Sequence, residues 1–162
     1  MSKPIGFSRI QIRLHWVVAL LVGFQLVFGD GMSDAWKVFV KGGSLTYSPA
    51  VIVHIVVGDL VFLLVAWRLI LRSRRGVPAP ADGESELQIL VAKAVHISLY
   101  VVLFLTPISG ALAVFGKVQI AGGVHELMKG AILALVALHI VGALYNQYVL
   151  KNGLMARMIR AK

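Results

Sequence analysis

Histidine is the residue type in this sequence that offers the most chemistry, and its positions follow a pattern. The 162-residue chain contains five histidines, and all lie within or at the edge of long apolar segments. They are His15, His54, His96, His125 and His139. Ionisable side chains are costly in a bilayer, so a histidine inside a membrane span is a candidate functional residue. One such histidine alone could equally be a core residue bonded to a neighbouring carbonyl group, so the arrangement of the five decides between these interpretations.

Two of the histidines share one face of a helix. His125 and His139 are 14 residues apart. At about 100° per residue, this spacing falls only about 40° short of four full turns, so both rings point in similar directions. They are separated along the axis by about 21 Å, because each helical residue adds about 1.5 Å. A single helix therefore presents two imidazoles at two depths.

The composition indicates that these histidines are positioned by membrane-spanning helices. Hydrophobic residues make up 59% of the chain and charged residues 14%, whereas soluble domains carry about 25% charged residues. Four apolar runs reach the length of about 20 residues that a helix needs to cross a bilayer. They cover about 10–28, 49–71, 87–115 and 124–149, with Pro107 as an expected kink in the third. The sequence predicts an all-α integral membrane four-helix bundle that forms one domain over residues 1–162.

The distribution of lysine and arginine predicts the orientation of the bundle. Twelve of these residues lie at the N-terminus, in or beside the segment 72–82, and at the C-terminus: Lys3, Arg9, Arg13, Arg68, Arg72, Arg74, Arg75, Lys93, Lys151, Arg157, Arg160 and Lys162. The other four lie on the opposite side: Lys37, Lys41, Lys117 and Lys129. Because positive charge is retained inside, both termini and the segment 72–82 are expected in the cytoplasm. This role accounts for the net charge of +9, so we do not expect nucleic-acid binding.

Matching the histidines by depth predicts two pairs. His15 and His139 lie towards the inner side, and His54 and His125 towards the outer side. Two imidazoles per site are too few for zinc, which needs a tetrahedral cluster, but they suit the two axial positions of a haem iron. The chain has no cysteine, which excludes iron–sulfur clusters and covalent haem attachment through CxxCH. The expected cofactors are two non-covalent b haems.

His96 lies on the third helix, near the depth of the inner pair. Three roles remain open for it: a replacement haem ligand, part of a quinone or proton site beside the inner haem, or packing. Arg13, Arg68 and Lys93 lie at the same end and are candidates to contact haem propionates or the quinone.

Asp59 and Lys129 are two further charges inside predicted spans. Asp59 follows His54 by five residues and Lys129 follows His125 by four, which places both at one depth. Because an unpaired charge at that depth is costly, we expect an ion pair between the second and fourth helices. A proton-relay role for an unpaired Asp59 is the alternative.

Several motifs, in order along nearly the whole chain, resemble the bacterial cytochrome b561 family. They are Leu14-His15-Trp16, His54-Ile55-Val56-Val57-Gly58, Trp67-Arg68-Leu69-Ile70-Leu71-Arg72, Thr106-Pro107-Ile108-Ser109-Gly110 after His96, His125-Glu126 and Ala137-Leu138-His139. More distantly, the chain is similar to the di-haem cytochrome b subunits of membrane formate dehydrogenases and nickel–iron hydrogenases.

The resemblance implies the same pairing, His15 with His139 and His54 with His125, in a multi-pass protein of the bacterial inner membrane. It also implies electron exchange with quinone near the cytoplasmic haem. One branch of the family oxidises superoxide at the periplasmic face and reduces ubiquinone. The connection from Gly110 to His125 is shorter here than in that branch, which argues against superoxide oxidation. The short connection leaves room for a periplasmic redox protein, such as a c-type cytochrome or a dehydrogenase.

The expected function is therefore electron transfer across the membrane through two haems, between a periplasmic redox partner, or a small oxidant or reductant, and the quinone pool. The chain would act either as a quinone-linked oxidoreductase or as a haem-bearing anchor subunit of a larger complex. A haem-free, histidine-lined transporter is a third possibility, which the visible spectrum would distinguish.

Overall fold

The computed structural model describes residues 4–161, so Lys3 and Lys162, two of the cationic residues used to predict the orientation, lie outside this range. The helices are α1 (Arg9–Phe28), α2 (Asp30–Val40), α3 (Pro49–Arg75), α4 (Glu86–Val114) and α5 (Gln119–Tyr148), followed by a 3-10 helix (Leu154–Met158). Helices α1, α3, α4 and α5 are each long and apolar enough to cross a membrane. The prediction of an all-α membrane protein with four spanning helices is confirmed.

Serine caps explain where three of the spanning helices begin. Ser8, Ser48 and Ser85 precede α1, α3 and α4, and each side chain accepts a hydrogen bond from a backbone N–H three residues later. At Ser8 and Ser85 the side-chain oxygen of a glutamine at that third position accepts a hydrogen bond from the serine backbone N–H, which completes a capping box. These caps bind N–H groups that have no partner inside the helix.

The structure differs from the predicted boundaries at both ends of the bundle. At the arginine-rich end, α3 continues to Arg75, four residues past its predicted end at 71 and into a segment expected to be a loop. The other differences lie at the opposite end. Helix α2 was not predicted, because its 11 residues are too short to span a bilayer. Helix α5 begins at Gln119, five residues before the predicted start at 124. The connection between α4 and α5 is consequently limited to residues 115–118.

The four spanning helices pack against one another in chain order. Helix α1 packs on α3, α3 on α4, and α4 on α5. Buried residues of α1, α3 and α5 form the apolar core: Val18, Val22, Val61, Val65 and Ile132. Helices α1 and α3 carry His15 and His54, whereas α5 carries both His125 and His139. His15 of α1 and His54 of α3 each meet one of the α5 histidines.

We call the end at which α1 and α4 begin and α3 and α5 terminate the basic end, and the other the opposite end. At the basic end the segment after α5 folds back over the bundle. Trp16 Nε1 donates a hydrogen bond to the Met158 carbonyl oxygen at 2.8 Å, and Arg157 Nη1 donates to the Ala79 carbonyl oxygen at 2.7 Å. This segment thus ties α1 to the connection between α3 and α4.

Candidate functional site

Three histidines meet at the basic end. The ring centroids of His15 and His139 are 6.0 Å apart, with an angle of 66° between the ring planes. His96 lies on α4, and the centroid of its ring is 5.1 Å from that of His139. His15, His96 and His139, which we call the basic-end cluster, are all half-buried.

The remaining two histidines meet at the opposite end. The ring centroids of His54 and His125 are 6.1 Å apart and the ring planes are 63° apart. We call these two residues the opposite-end pair. Since His125 and His139 are 14 residues apart on α5, the two sites are separated by about 21 Å along that helix.

The ring of His125 is held by α4. Its Nδ1 lies 2.9 Å from the Thr106 carbonyl oxygen and 3.3 Å from Ser109 Oγ. A carbonyl oxygen can only accept a hydrogen bond, so Nδ1 carries the proton and Nε2 keeps its lone pair. A Cβ atom at Gly110 would lie 3.0 Å from two atoms of this ring. The segment from Thr106 to Gly110 therefore forms a close-fitting seat for His125.

A glutamine secures the other member of the opposite-end pair. Gln25 Nε2, on α1, donates a hydrogen bond to the His54 carbonyl oxygen at 2.8 Å. A Cβ atom at Gly58 would lie 3.4 Å from this nitrogen, so the amide packs close to the α3 backbone. The Nδ1 atom of the His54 ring is buried and has no hydrogen-bond partner among the described residues.

A cavity of about 160 Å³ adjoins the opposite-end pair. Its lining comes from α1, α2, α3, α4 and α5 and includes Asp59 and Lys129. The predicted ion pair between these two residues is wrong: Lys129 Nζ lies 3.9 Å from Glu126 Oε1, and no ion pair within residues 4–161 joins it to Asp59. Glu126 and Lys129 are three residues apart on one helix face and pair locally, while the Asp59 side chain is exposed.

Arg68 contributes the most extensive polar contacts at the basic end. Its Nη1 donates to the Gln11 carbonyl oxygen at 3.1 Å, and its Nη2 lies 3.5 Å from the Tyr100 hydroxyl. The guanidinium carbons of Arg68 and Arg72 lie 6.0 and 5.7 Å from the centre of the Tyr100 ring, within the range of cation–π attraction. Tyr100 follows His96 by four residues and so shares its helix face.

The other two predicted contacts, Arg13 and Lys93, are exposed at the same end. Their side chains take part in none of the hydrogen bonds or ion pairs found in the part of the chain that the structure describes. Of the three cationic candidates, only Arg68 therefore reaches into the bundle.

Neither site resembles a metal centre built from protein ligands alone. Between residues 4 and 161 there is no group of three or more His, Cys, Asp or Glu residues that could hold a metal ion. Each site offers paired imidazoles, and the basic-end cluster adds His96 in contact with His139. Each pair supplies two imidazoles from facing helices, fewer than the four ligands of a tetrahedral zinc site.

Four apolar spanning helices with paired histidines between them define a multi-pass membrane protein of the cytochrome b type. A sequence profile of the prokaryotic cytochrome b561 family matches residues 6–161. The chain is 35% identical to cytochrome b562 of Cereibacter sphaeroides, over the full length of both proteins. It is 27% identical to cytochrome b561 homolog 1 of Escherichia coli K12, over 94% of this chain and 96% of that protein. It is 24% identical to the probable superoxide oxidase CybB of Yersinia pestis, over 96% and 97%.

The chain therefore belongs to the prokaryotic cytochrome b561 family, which confirms the resemblance seen in its motifs. It is a haem b-binding protein of the bacterial inner membrane that takes part in electron transport.

Three residues beside the histidines were missed in the sequence. Gln25 could have been found as an uncharged polar residue within an apolar run, and Tyr100 as the residue one turn after His96. Trp36 lines the cavity of the opposite-end pair, but the sequence around it gave no span and so attracted no prediction.

Proposed function

We propose that the chain holds one haem b between His15 and His139 and a second between His54 and His125, and that it carries electrons between a periplasmic redox protein and membrane quinone. The observation that carries this proposal is the spacing of the two pairs, whose ring centroids are 6.0 and 6.1 Å apart. A haem iron takes up or releases one electron at a time, so two such sites make a path through the bundle.

The spacing fits a metal between the rings. A ligating imidazole nitrogen lies about 2 Å from its metal and about 1 Å from the centre of its own ring, so two imidazoles on opposite sides have centroids about 6 Å apart. Edge-to-face aromatic contacts also occur at this distance, and membership of a haem b-binding family favours the metal. The separation of 5.1 Å between His96 and His139 is short for that arrangement, which supports a contact between two side chains and not a third axial ligand.

The ring nitrogens at the opposite end also fit axial ligation. His125 donates through Nδ1 to the Thr106 carbonyl, which leaves Nε2 free to bind iron and fixes the ring orientation, as is usual for metal-bound histidines. His54 has a buried ring nitrogen without a hydrogen-bond partner among the described residues. Leaving such a group unpaired costs about 1–3 kcal/mol, a cost that iron bound at this Nδ1 atom would remove.

The bundle fixes the separation of the two sites, and its charge distribution indicates which site faces which side of the membrane. Because α5 contributes one histidine to each pair, the separation of the two sites is set by one helix. The excess of lysine and arginine at the basic end favours a cytoplasmic location for that end. The basic-end cluster would then form the inner site and the opposite-end pair the periplasmic one.

The quinone site is proposed beside the basic-end cluster. His96 contacts His139, and Arg68 contacts Tyr100, which lies one turn after His96 on α4, so this end offers ring nitrogens, a hydroxyl and a guanidinium group. Each can donate a hydrogen bond to a quinone oxygen. The Arg68 guanidinium is an alternative contact for a haem propionate, since arginine binds carboxylates well.

The variant His96→Phe tests this placement, because phenylalanine keeps the ring but removes the polar nitrogens. We expect both haems to remain bound while electron exchange with quinone slows. Lys93→Gln is the control. Lys93 lies three residues before His96, and its side chain is exposed, so this substitution removes a charge without changing the interior of the bundle. Unchanged quinone kinetics in His96→Phe would return this residue to a packing role, and loss of one haem would make it a ligand.

The periplasmic reactant is proposed to be a redox protein. The relative from Yersinia pestis is named a probable superoxide oxidase, at 24% identity. In the present chain the connection between α4 and α5 spans only residues 115–118, so α2 is the main element over the opposite-end pair. Superoxide-dependent reduction of quinone by the purified protein would contradict this choice of reactant without affecting the two haem sites.

The pairing is tested by removing one ligand at a time. His15→Ala and His139→Ala should lose the same component of the redox titration, because they share one haem. His54→Ala and His125→Ala should both lose the other component. If His15→Ala and His54→Ala lost the same component, the assignment of the pairs would be refuted.

A further inference from the structure

Helix α2 bridges the two helices that carry the opposite-end pair. At its start, a Cβ atom at Gly31 would lie 2.7 Å from Ala50 Cβ, so α2 packs directly on α3, four residues before His54. Farther along, the indole of Trp36 packs on Gly122 of α5, three residues before His125, so closely that a Cβ atom there would overlap the ring. Helix α2 therefore contacts both α3 and α5 close to His54 and His125.

The indole of Trp36 forms part of the wall of the site itself. Trp36 lines the same cavity as His54 and His125 and is half-buried. It also contacts Phe39, with ring centroids 5.2 Å apart. Two aromatic rings thus lie side by side on the helix that crosses this end of the bundle.

We propose that Trp36 is a specificity-determining residue for electron exchange at the opposite-end pair, an inference that rests on the proposed haem between His54 and His125. Its indole, seated on Gly122, screens this site from small water-soluble oxidants and reductants. A small ion must come close to exchange an electron, and a rigid ring in the wall of the cavity excludes water there and slows this approach. A larger partner that exchanges electrons at the protein surface does not need that path.

Gly122 makes the proposal testable without changing Trp36. A methyl group at Gly122 overlaps the indole, a rigid ring that cannot yield as a flexible side chain would, so Gly122→Ala must displace Trp36 or α2. The neighbouring residue Gly123 is a matched control, because a Cβ atom there would meet no atom within 4 Å. Both substitutions add one methyl group to the same turn of α5.

The experiment measures how fast ferricyanide oxidises the reduced haem of the opposite-end pair by stopped-flow spectroscopy. Each ferricyanide accepts one electron from the ferrous haem and becomes ferrocyanide. Haem content and the redox titration of every variant are measured first. We expect Trp36→Ala and Gly122→Ala to react several-fold faster than the wild type, while Gly123→Ala reacts at the wild-type rate. Oxidation by a lipid-soluble quinone should be the same in all four proteins.

The outcomes separate this inference from the proposed function. Wild-type rates in Trp36→Ala and Gly122→Ala, with both haems retained, would overturn the screening role and leave the proposed function standing. If Trp36→Ala loses a haem, Trp36→Phe and Gly122→Ala are used in its place. Faster oxidation in these variants supports the screening role. Loss of the same haem in both would make Trp36 a structural residue and overturn that role. A wild-type protein without a haem at the opposite-end pair would instead refute the proposed function.

Discussion

Replacing Gly110 with alanine should weaken haem binding at the opposite-end pair and leave the other site intact. The new methyl group would lie 3.0 Å from Cε1 and Nδ1 of His125, whereas carbon atoms pack best at about 3.5–4.0 Å. The ring must therefore move by a few tenths of an ångström or the helices must separate. The same movement strains the 2.9 Å hydrogen bond from Nδ1 to the Thr106 carbonyl.

The size of the effect follows from the cost of overpacking. Adding a methyl group to a closely packed site usually costs about 1–3 kcal/mol. If most of this cost falls on the haem-bound state, haem affinity drops by roughly one to two powers of ten, at about 1.4 kcal/mol per tenfold change. The basic-end cluster should keep its affinity for haem, because His15 and His139 make no contact with Gly110.

The assay measures the rate at which each protein loses haem to a scavenger protein. A redox titration of the remaining protein then shows which component was lost. Gly110→Ala should lose one component faster than the wild type does, and the same component should disappear in His54→Ala. Gly123→Ala again serves as the control with open space around the added methyl group. Wild-type haem retention in Gly110→Ala would refute the seating of His125 on α4, and faster loss of the component shared with His15→Ala would refute the assignment of the sites.

Two further substitutions test the contacts around the sites. Gln25→Leu removes the hydrogen bond to the His54 carbonyl and should destabilise the protein by about 0.5–1.5 kcal/mol, seen as a lower midpoint of thermal unfolding in detergent; an unchanged midpoint would count against this contact. Trp16→Phe removes the donor to the Met158 carbonyl and should speed tryptic cleavage after Arg157, whereas equal cleavage rates would mean that the C-terminal segment is held by other contacts.

The parts of this structure that depend on length and periodicity were predictable from the sequence. The four spans follow from apolar runs of sufficient length. The starts predicted at about 10, 49 and 87 lie within one residue of those observed, where Ser8, Ser48 and Ser85 cap the helices. The partners of His125 and His139 followed from depth, because an antiparallel bundle brings together residues at equal distances from the membrane surface. The structure brings these residues into neighbouring positions.

Features that depend on rotation about a helix axis or on tertiary contacts were not predictable in this way. Depth placed Asp59 level with Lys129 but did not reveal that Lys129 shares a helix face with Glu126 and pairs with it. Depth also gave Lys93 and Arg68 the same predicted role as contacts for a propionate or quinone, although only Arg68 points into the bundle. The position of α2 is fixed by Trp36 on Gly122, a contact between residues that are distant in the sequence.

The most direct test of the two-haem proposal is the number of haems per polypeptide. A pyridine haemochrome assay on purified protein of known concentration should give two non-covalent b haems per chain, and a redox titration should resolve two components. One haem per chain would contradict one of the two histidine pairs. A protein without haem would contradict the entire assignment.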